Sequence, residues 1–221
     1  MNKIFYRIIF SGMIFSFASC GGAENETTEK QPEPIIPLPY MGQHEIDGTD
    51  TIYHSIPDYV LLAHDSSEFT NERVANKIHV VNFFFTSCPA ICPAMIGQMQ
   101  RLQTNTADIE ELVFLSHTVD PKRDTIPKLR AYIKERNIDT RNWFFLYGEK
   151  EYVYDLGMNG YILNAMEDEK ADGGFLHSEY FVLIDRERHI RGMYDGTETE
   201  QVDQLEKDIR KLLKEEYANL P

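Results

Sequence analysis

The stretch IHVVNFFFTSCPAICPAM, residues 78–95, decides the fold. From Ile78 to Phe85 nearly every position is β-branched or aromatic, without the alternation of a half-exposed strand, and this predicts a central strand covered on both faces. Directly after it Met95, Ile96, Met99 and Leu102 recur at helical spacing, which predicts a helix running to about Asn105. Between strand and helix lie Cys88 and Cys92, each followed by a proline. Residues four apart on a helix point to one side, so both sulfurs can face a single point. If Pro93, which lacks an N–H, opens the regular helix, Cys88 lies in the loop and Cys92 near the cap. Both thiols then sit at a helix N-terminus, where the dipole and free N–H groups favour thiolate.

The strand-then-helix alternation continues toward the C-terminus. Leu112–Ser116 reads as a second buried strand leading into HTVDPKRDT, after which Thr125 and Pro127 mark a helix start with Leu129, Tyr132 and Ile133 as its inner stripe. Trp143–Tyr147 is a third strand and Glu149–Leu156 a short helix. Glu179–Ile184 and His189–Met193 form two more strands, with Asp185–Arg188 as the turn between them. A last helix, from about Glu198 to Tyr217, carries Val202, Leu205, Ile209, Leu212 and Leu213 on one face. Toward the N-terminus Ile52–Leu62 alternates in part, interrupted at Pro57, and His64–Ser67 reads as a turn, which predicts an N-terminal hairpin. Together these elements predict an α/β fold, a thioredoxin-like three-layer α/β/α sandwich with an N-terminal β-hairpin extension. Function in such sheets gathers at the carboxyl ends of the strands, where Cys88 and Cys92 fall.

The chain opens with Lys3 and Arg7, an apolar run from Ile8 to Phe17, and then Ala18-Ser19-Cys20. A basic start, an apolar run too short to span a bilayer and small residues at the exit describe an export signal over residues 1–19. Cys20, followed by two glycines, resembles the lipobox of bacterial lipoproteins, with Phe17 where most carry leucine, so Cys20 is the expected lipidation site. Residues 20–39 are acidic, polar and proline-rich, the composition of a tether, and the folded domain is expected over 40–221. This gives a membrane-anchored, exported lipoprotein facing the periplasm or the cell exterior. The formal net charge is −14, and losing Lys3 and Arg7 with the signal takes it to −16. So acidic a protein is not built to bind nucleic acid, whose phosphates demand a basic face. Outside the cytoplasm disulfides persist, so Cys88 and Cys92 can cycle between thiols and a disulfide.

The spacing of the two thiols allows disulfide exchange and soft-metal binding alike and does not choose between them. A purely structural disulfide would close too short a loop to stabilise much, and two prolines at a strand end are poor neighbours for cysteines that merely fill space. A third ligand would favour metal. His44, His54 and His64 fall in the N-terminal extension, His79 starts its strand at the end away from the cysteines, and His189 begins a hairpin arm; these read as surface or structural histidines. His117 follows a buried strand beside the cysteine strand, and His177 stands just before a late strand, after the acidic loop 165–174. In a thioredoxin-like reductase a cis-proline generally faces the cysteine pair at that late point. Here no proline occurs between Pro127 and Pro221, and an imidazole takes the place. Two thiolates and an imidazole form a soft set suited to Cu(I) and able to hold Cu(II), whereas zinc accepts the same donors but usually asks for a fourth.

TSCPAICP, TVDPKRDT and the late His177 resemble the Sco/SenC family, from roughly residue 55 to the C-terminus. That family consists of membrane-tethered, thioredoxin-like copper chaperones for the CuA site of cytochrome c oxidase. The resemblance implies that Cys88, Cys92 and His177 are copper ligands and that Asp120, in the V-D-P segment, supports them from behind. It implies a cuproprotein acceptor such as the CuA subunit, a thiol-reductant protein as second partner, and metal handling rather than turnover of a small substrate. His117 precedes the V-D-P turn where many members have an apolar or small residue, which makes it a conceivable auxiliary ligand. A different class of function uses the same thiols, an extracytoplasmic thiol–disulfide oxidoreductase that keeps the cysteines of the oxidase or other exported proteins reduced. A peroxidase is a third and weaker reading, because the peroxidatic cysteine of that fold sits in another local motif.

Overall fold

The computed structural model describes residues 36–163 and 179–217. The expected signal, Cys20, most of the tether, the acidic loop 165–174 and His177 lie outside the described residues. The strands are β1 (His44–Asp47), β2 (Asp50–Tyr53), β3 (Val60–Ala63), β4 (Glu68–Thr70), β5 (Ile78–Phe84), β6 (Leu112–Thr118), β7 (Trp143–Tyr147), β8 (Tyr180–Ile184) and β9 (Ile190–Asp195). The α-helices are α1 (Cys92–Asn105), α2 (Ile126–Glu135), α3 (Lys150–Asp155) and α4 (Thr199–Tyr217), with a π-turn over Leu156–Gly160 continuing α3.

Seven strands make one sheet in the order β4-β3-β7-β6-β5-β8-β9. β5, β6 and β7 run parallel at its centre, and every residue of β5 and β6 is buried, as their largely apolar composition predicts. β8 pairs antiparallel with β5, and β9 antiparallel with β8. Alternation along β5 assigns the layers. Phe84 points to one face, where its ring meets Tyr132 of α2 at 5.7 Å. On that face α1 lies between its neighbours: Gln100 donates to the Arg136 carbonyl at the end of α2, and Arg101 pairs with Asp203 of α4 at 2.5 Å. Phe83 points to the other face, where it meets Tyr161, just beyond the π-turn, at 5.4 Å. Helical layers on both faces of a mixed sheet make the thioredoxin-like sandwich. Three polar residues inside it are tied in a chain, since Trp143 Nε1 donates to Ser116 Oγ at 2.8 Å and Ser116 Oγ donates to Asn82 Oδ1 at 2.6 Å, while Asn82 Nδ2 has no partner among the described residues.

The N-terminal extension differs from the single hairpin expected over Ile52–Leu62. Two hairpins are present, β1–β2 as a separate two-stranded sheet and β3–β4 as the edge of the main one. Pro57 divides the run, because the chain between β2 and β3 leaves to join the β8–β9 turn instead. Ser55 bridges His189, and the Ile56 N–H donates to the Arg188 carbonyl at 2.9 Å. The expected turn at His64–Ser67 does close β3–β4, with Ser66 in the left-handed region at φ 74°.

Packing begins slightly before Tyr40. Leu38 is buried, and Arg191 of β9 donates to its carbonyl at 2.7 Å and to the Pro39 carbonyl at 3.3 Å. The same guanidinium stands over the Tyr40 ring and pairs with Asp185, Glu215 and Glu216 at 3.2, 3.1 and 3.5 Å. One buried cation therefore fastens residues 38–40 and the end of α4 to the sheet.

Candidate metal and thiol site

Cys88 and Cys92 occupy the carboxyl edge of the parallel strands, at the junction of β5 and α1. α1 begins at Cys92 with Pro93 second, where a missing N–H costs nothing, so Cys88 lies in the loop and Cys92 in the first helical position. Both are free thiols, buried, and hydrogen-bonded to one another. Their environments push them apart. Burial raises the Cys88 thiol, but the N–H groups of Cys92, Ala90 and Ile91 and the Cys92 thiol converge on its sulfur and together hold its pKa below the ordinary thiol value. Burial also raises Cys92, and the hydrogen bond to Cys88 with the nearby negative charges of Cys88 and Asp124 adds to it, so its pKa stands well above the ordinary value. The pair thus offers one thiolate-prone sulfur cradled by a helix N-terminus and one protonated neighbour, a suitable start for disulfide exchange or for a soft cation that displaces the second proton.

The segment after β6 supplies the polar backing. Asp120 is buried at 6 % exposure, and its carboxylate pairs with Arg123. Asp124 is fully buried, and its carboxylate reaches across to the cysteine loop. It accepts from the Thr86 N–H at 2.9 Å, from Thr86 Oγ at 2.5 Å and from Thr118 Oγ at 2.7 Å. The family resemblance singles out Asp120 within TVDPKRDT; the second aspartate of that segment is the one tied to the loop that carries Cys88. The signal was present in the motif, but only the strand pairing shows which carboxylate points at Thr86. Tyr132 was also missed as a neighbour of the site. Burial raises its pKa to about 12, with Arg136 opposing and the charges of Cys92, Cys88 and Asp124 adding to the rise.

His117 sits on the other face of the sheet from α1 and α2. Its Cα pairs with Phe83 across the ladder, its ring stacks on Phe83 at 4.9 Å, and Tyr59 and Tyr161 stand at 6.0 and 5.6 Å. Neither ring nitrogen has a hydrogen-bond partner, and burial lowers its pKa to about 3. Histidines expected to be structural are so employed. His54 Nε2 lies 2.7 Å from the Gly160 carbonyl, His64 Nδ1 accepts from the Phe145 N–H, and His79 Nε2 lies 3.0 Å from the Val74 carbonyl. Among the described residues no group of three His, Cys, Asp or Glu is placed to hold a metal ion, so a metal at Cys88 and Cys92 needs a ligand from elsewhere in the chain. β8 runs antiparallel to β5 and so begins, at Tyr180, on the edge where β5 ends. His177 precedes it by three residues in sequence and lies outside the described residues.

A thioredoxin-like domain with a C-x-x-x-C pair at the strand–helix junction defines the class. Residues 48–214 match the SCO1/SenC family model, and the chain belongs to the SCO1/SenC family. A Stutzerimonas stutzeri protein named for copper binding is 35 % identical over 141 residues, covering 62 % of this chain and 68 % of that one. The crystal structure of a SCO1/SenC family lipoprotein from Bacillus anthracis matches with a TM-score of 0.64 at 25 % identity, over 72 % of this chain and 95 % of that one. BsSco, a member of the Sco family of cytochrome c oxidase assembly proteins with a disulfide switch, matches with a TM-score of 0.63 at 21 % identity, over 72 % of this chain and 93 % of its own.

Proposed function

We propose that the protein is a membrane-tethered copper chaperone that binds copper through Cys88, Cys92 and His177 and passes it to a cuproprotein, the CuA subunit of cytochrome c oxidase. The observation that carries this reading is the free thiol pair, one sulfur held toward thiolate by three backbone N–H groups, in a chain of the SCO1/SenC family. Soft thiolates select Cu(I), and an imidazole beside them accommodates Cu(II) as well. The naming of the Stutzerimonas relative for copper binding and of BsSco for oxidase assembly supports cargo and destination. The buried sulfurs keep bulk water from the metal, and passage onward proceeds by ligand exchange with the acceptor's own donors. Asp120 and Asp124 back the site from the segment after β6. Anchoring through a lipid on Cys20 follows from the resemblance of that segment to a lipobox. Among the described residues no helix is long and apolar enough to cross a membrane, and the likeness to the Bacillus anthracis lipoprotein supports the anchor. The disulfide switch of BsSco supports a second reading, exchange of the same thiols with exported dithiols, for which Cys88 is the attacking sulfur.

Anaerobic copper titration of the reduced exported chain beside Cys88→Ser and His177→Ala tests the proposal. One tight copper per chain is expected, lost in Cys88→Ser and weakened or spectrally altered in His177→Ala. Wild-type binding no better than that of Cys88→Ser would refute it and leave dithiol exchange to be assayed.

A further inference from the structure

The Asp124 carboxylate is fully buried, yet among the described residues no Lys, Arg or His is ion-paired with it. All three of its hydrogen bonds come from donors, the Thr86 N–H, the Thr86 hydroxyl and the Thr118 hydroxyl, which is the pattern of an ionised carboxylate acting as acceptor only. The Thr118 hydroxyl also accepts from the Asp120 N–H at 3.2 Å, leaving its own proton for Asp124. A buried anion without a cation is costly and persists only where something compensates it. Hydrogen bonds do part of this. Its bonds to Thr86 set it against the loop that carries Cys88, and its negative charge adds a small part to the rise of the Cys92 and Tyr132 pKa values, which burial chiefly causes. The position is also mechanical. Two of the three bonds end on Thr86, two residues before Cys88, in the loop between β5 and α1.

We infer that Asp124 is a positioning residue with two roles, pinning the Thr86–Cys88 loop to the end of β6 and supplying a fixed negative charge that biases the site toward the more highly charged copper ion. The inference rests on the copper reading proposed above. A fixed anion attracts Cu(II) more than Cu(I) by one further unit of charge, and through a partly polar medium over several ångströms this amounts to roughly a tenfold preference. A purely structural carboxylate would alter both affinities together and leave their ratio alone. Removing a donor from the carboxylate has the opposite electrostatic effect to removing its charge, because the anion is then less neutralised.

The experiment measures Cu(I) and Cu(II) affinities by competition for wild type, Asp124→Asn and Thr86→Val, together with hydrogen exchange of the Thr86 amide in the copper-free wild type. Asp124→Asn should lower the Cu(II)-to-Cu(I) affinity ratio roughly tenfold and Thr86→Val should raise it a few-fold, with the Thr86 amide strongly protected in the wild type. Copper binding by the wild type with the ratio unmoved in folded Asp124→Asn overturns this inference while the copper reading stands. If Asp124→Asn does not fold, Thr86→Val decides alone, and a ratio that stays level or falls overturns it. A fast-exchanging Thr86 amide overturns the pinning role. Failure of the wild type to bind either ion removes the copper reading and this inference with it.

Discussion

His117 lies in the core with its ring stacked on Phe83 and both nitrogens unpartnered. A neutral imidazole carries one donor and one acceptor, and an unmade hydrogen bond at a buried polar atom costs about 1–3 kcal/mol. Leucine is close in volume and has no polar atom. With both nitrogens unpartnered the cost in the wild type is about 2–6 kcal/mol, and after deduction of about 1 kcal/mol for lost ring stacking, His117→Leu should be more stable than wild type by about 1–5 kcal/mol at pH 8. Proton linkage adds a second signature. Burial lowers the folded pKa to about 3, from 6.5 in the open chain, so the unfolded state binds a proton that the native state refuses. The stability tied to this group is complete above pH 6.5 and is lost progressively as pH falls toward 3, with about 2 kcal/mol gone by pH 5. His117→Leu lacks that loss, so its advantage should grow by about 2 kcal/mol between pH 8 and pH 5. The buried His79, with a pKa lowered to about 4, titrates in both proteins and cancels. Urea unfolding followed by the fluorescence of Trp143, buried in β7, measures both quantities. A variant no more stable than wild type at either pH, or an advantage that does not change with pH, would refute this account of the core.

Two further perturbations test the fastening of the chain ends. Arg191→Met leaves Asp185, Glu215 and Glu216 without their shared cation and residues 38 and 39 without their donor, and should cost about 3–5 kcal/mol in urea unfolding at pH 7; a cost under 1 kcal/mol would show that the cluster is solvated. Burial raises the Glu216 pKa to about 7, with the Asp185 charge adding, so the native state binds a proton between the unfolded value of 4.5 and pH 7, and stability falls as pH rises through that window. Because the group is only half buried, the gain of Glu216→Gln at pH 8 is discounted to about 1 kcal/mol, vanishing near pH 4.5; an equal gain at both pH values would mean that ionisation of Glu216 is not its cause.

Much of this molecule is legible in its sequence because its strongest signals are local. Covering both faces of a parallel strand demands a largely apolar run, so the strands read over Ile78–Phe85 and Leu112–Ser116 announce themselves. The stripes of α1, α2 and α4 follow from helical period, and Pro93 places Cys92 at the start of α1 because a proline fits only where no N–H is needed. The placement of the pair was legible too, since a strand end followed by Pro93 puts both thiols at the start of α1. Long-range partners were not. Ile52–Leu62 has the alternation of one strand, but Ser55 and Ile56 bind the β8–β9 turn, more than a hundred residues away, and the run divides. His117 reads as a candidate ligand from its place after a buried strand, whereas pleat parity turns its ring onto Phe83 and Tyr161. TVDPKRDT offers two aspartates of equal chemical merit, and only the β5–β6 register brings Asp124 against Thr86. Sequence determines periodicity, punctuation and the inventory of reactive groups, all set by neighbours along the chain; which buried group meets which is set by strand order and register, and these exist only once the sheet has closed.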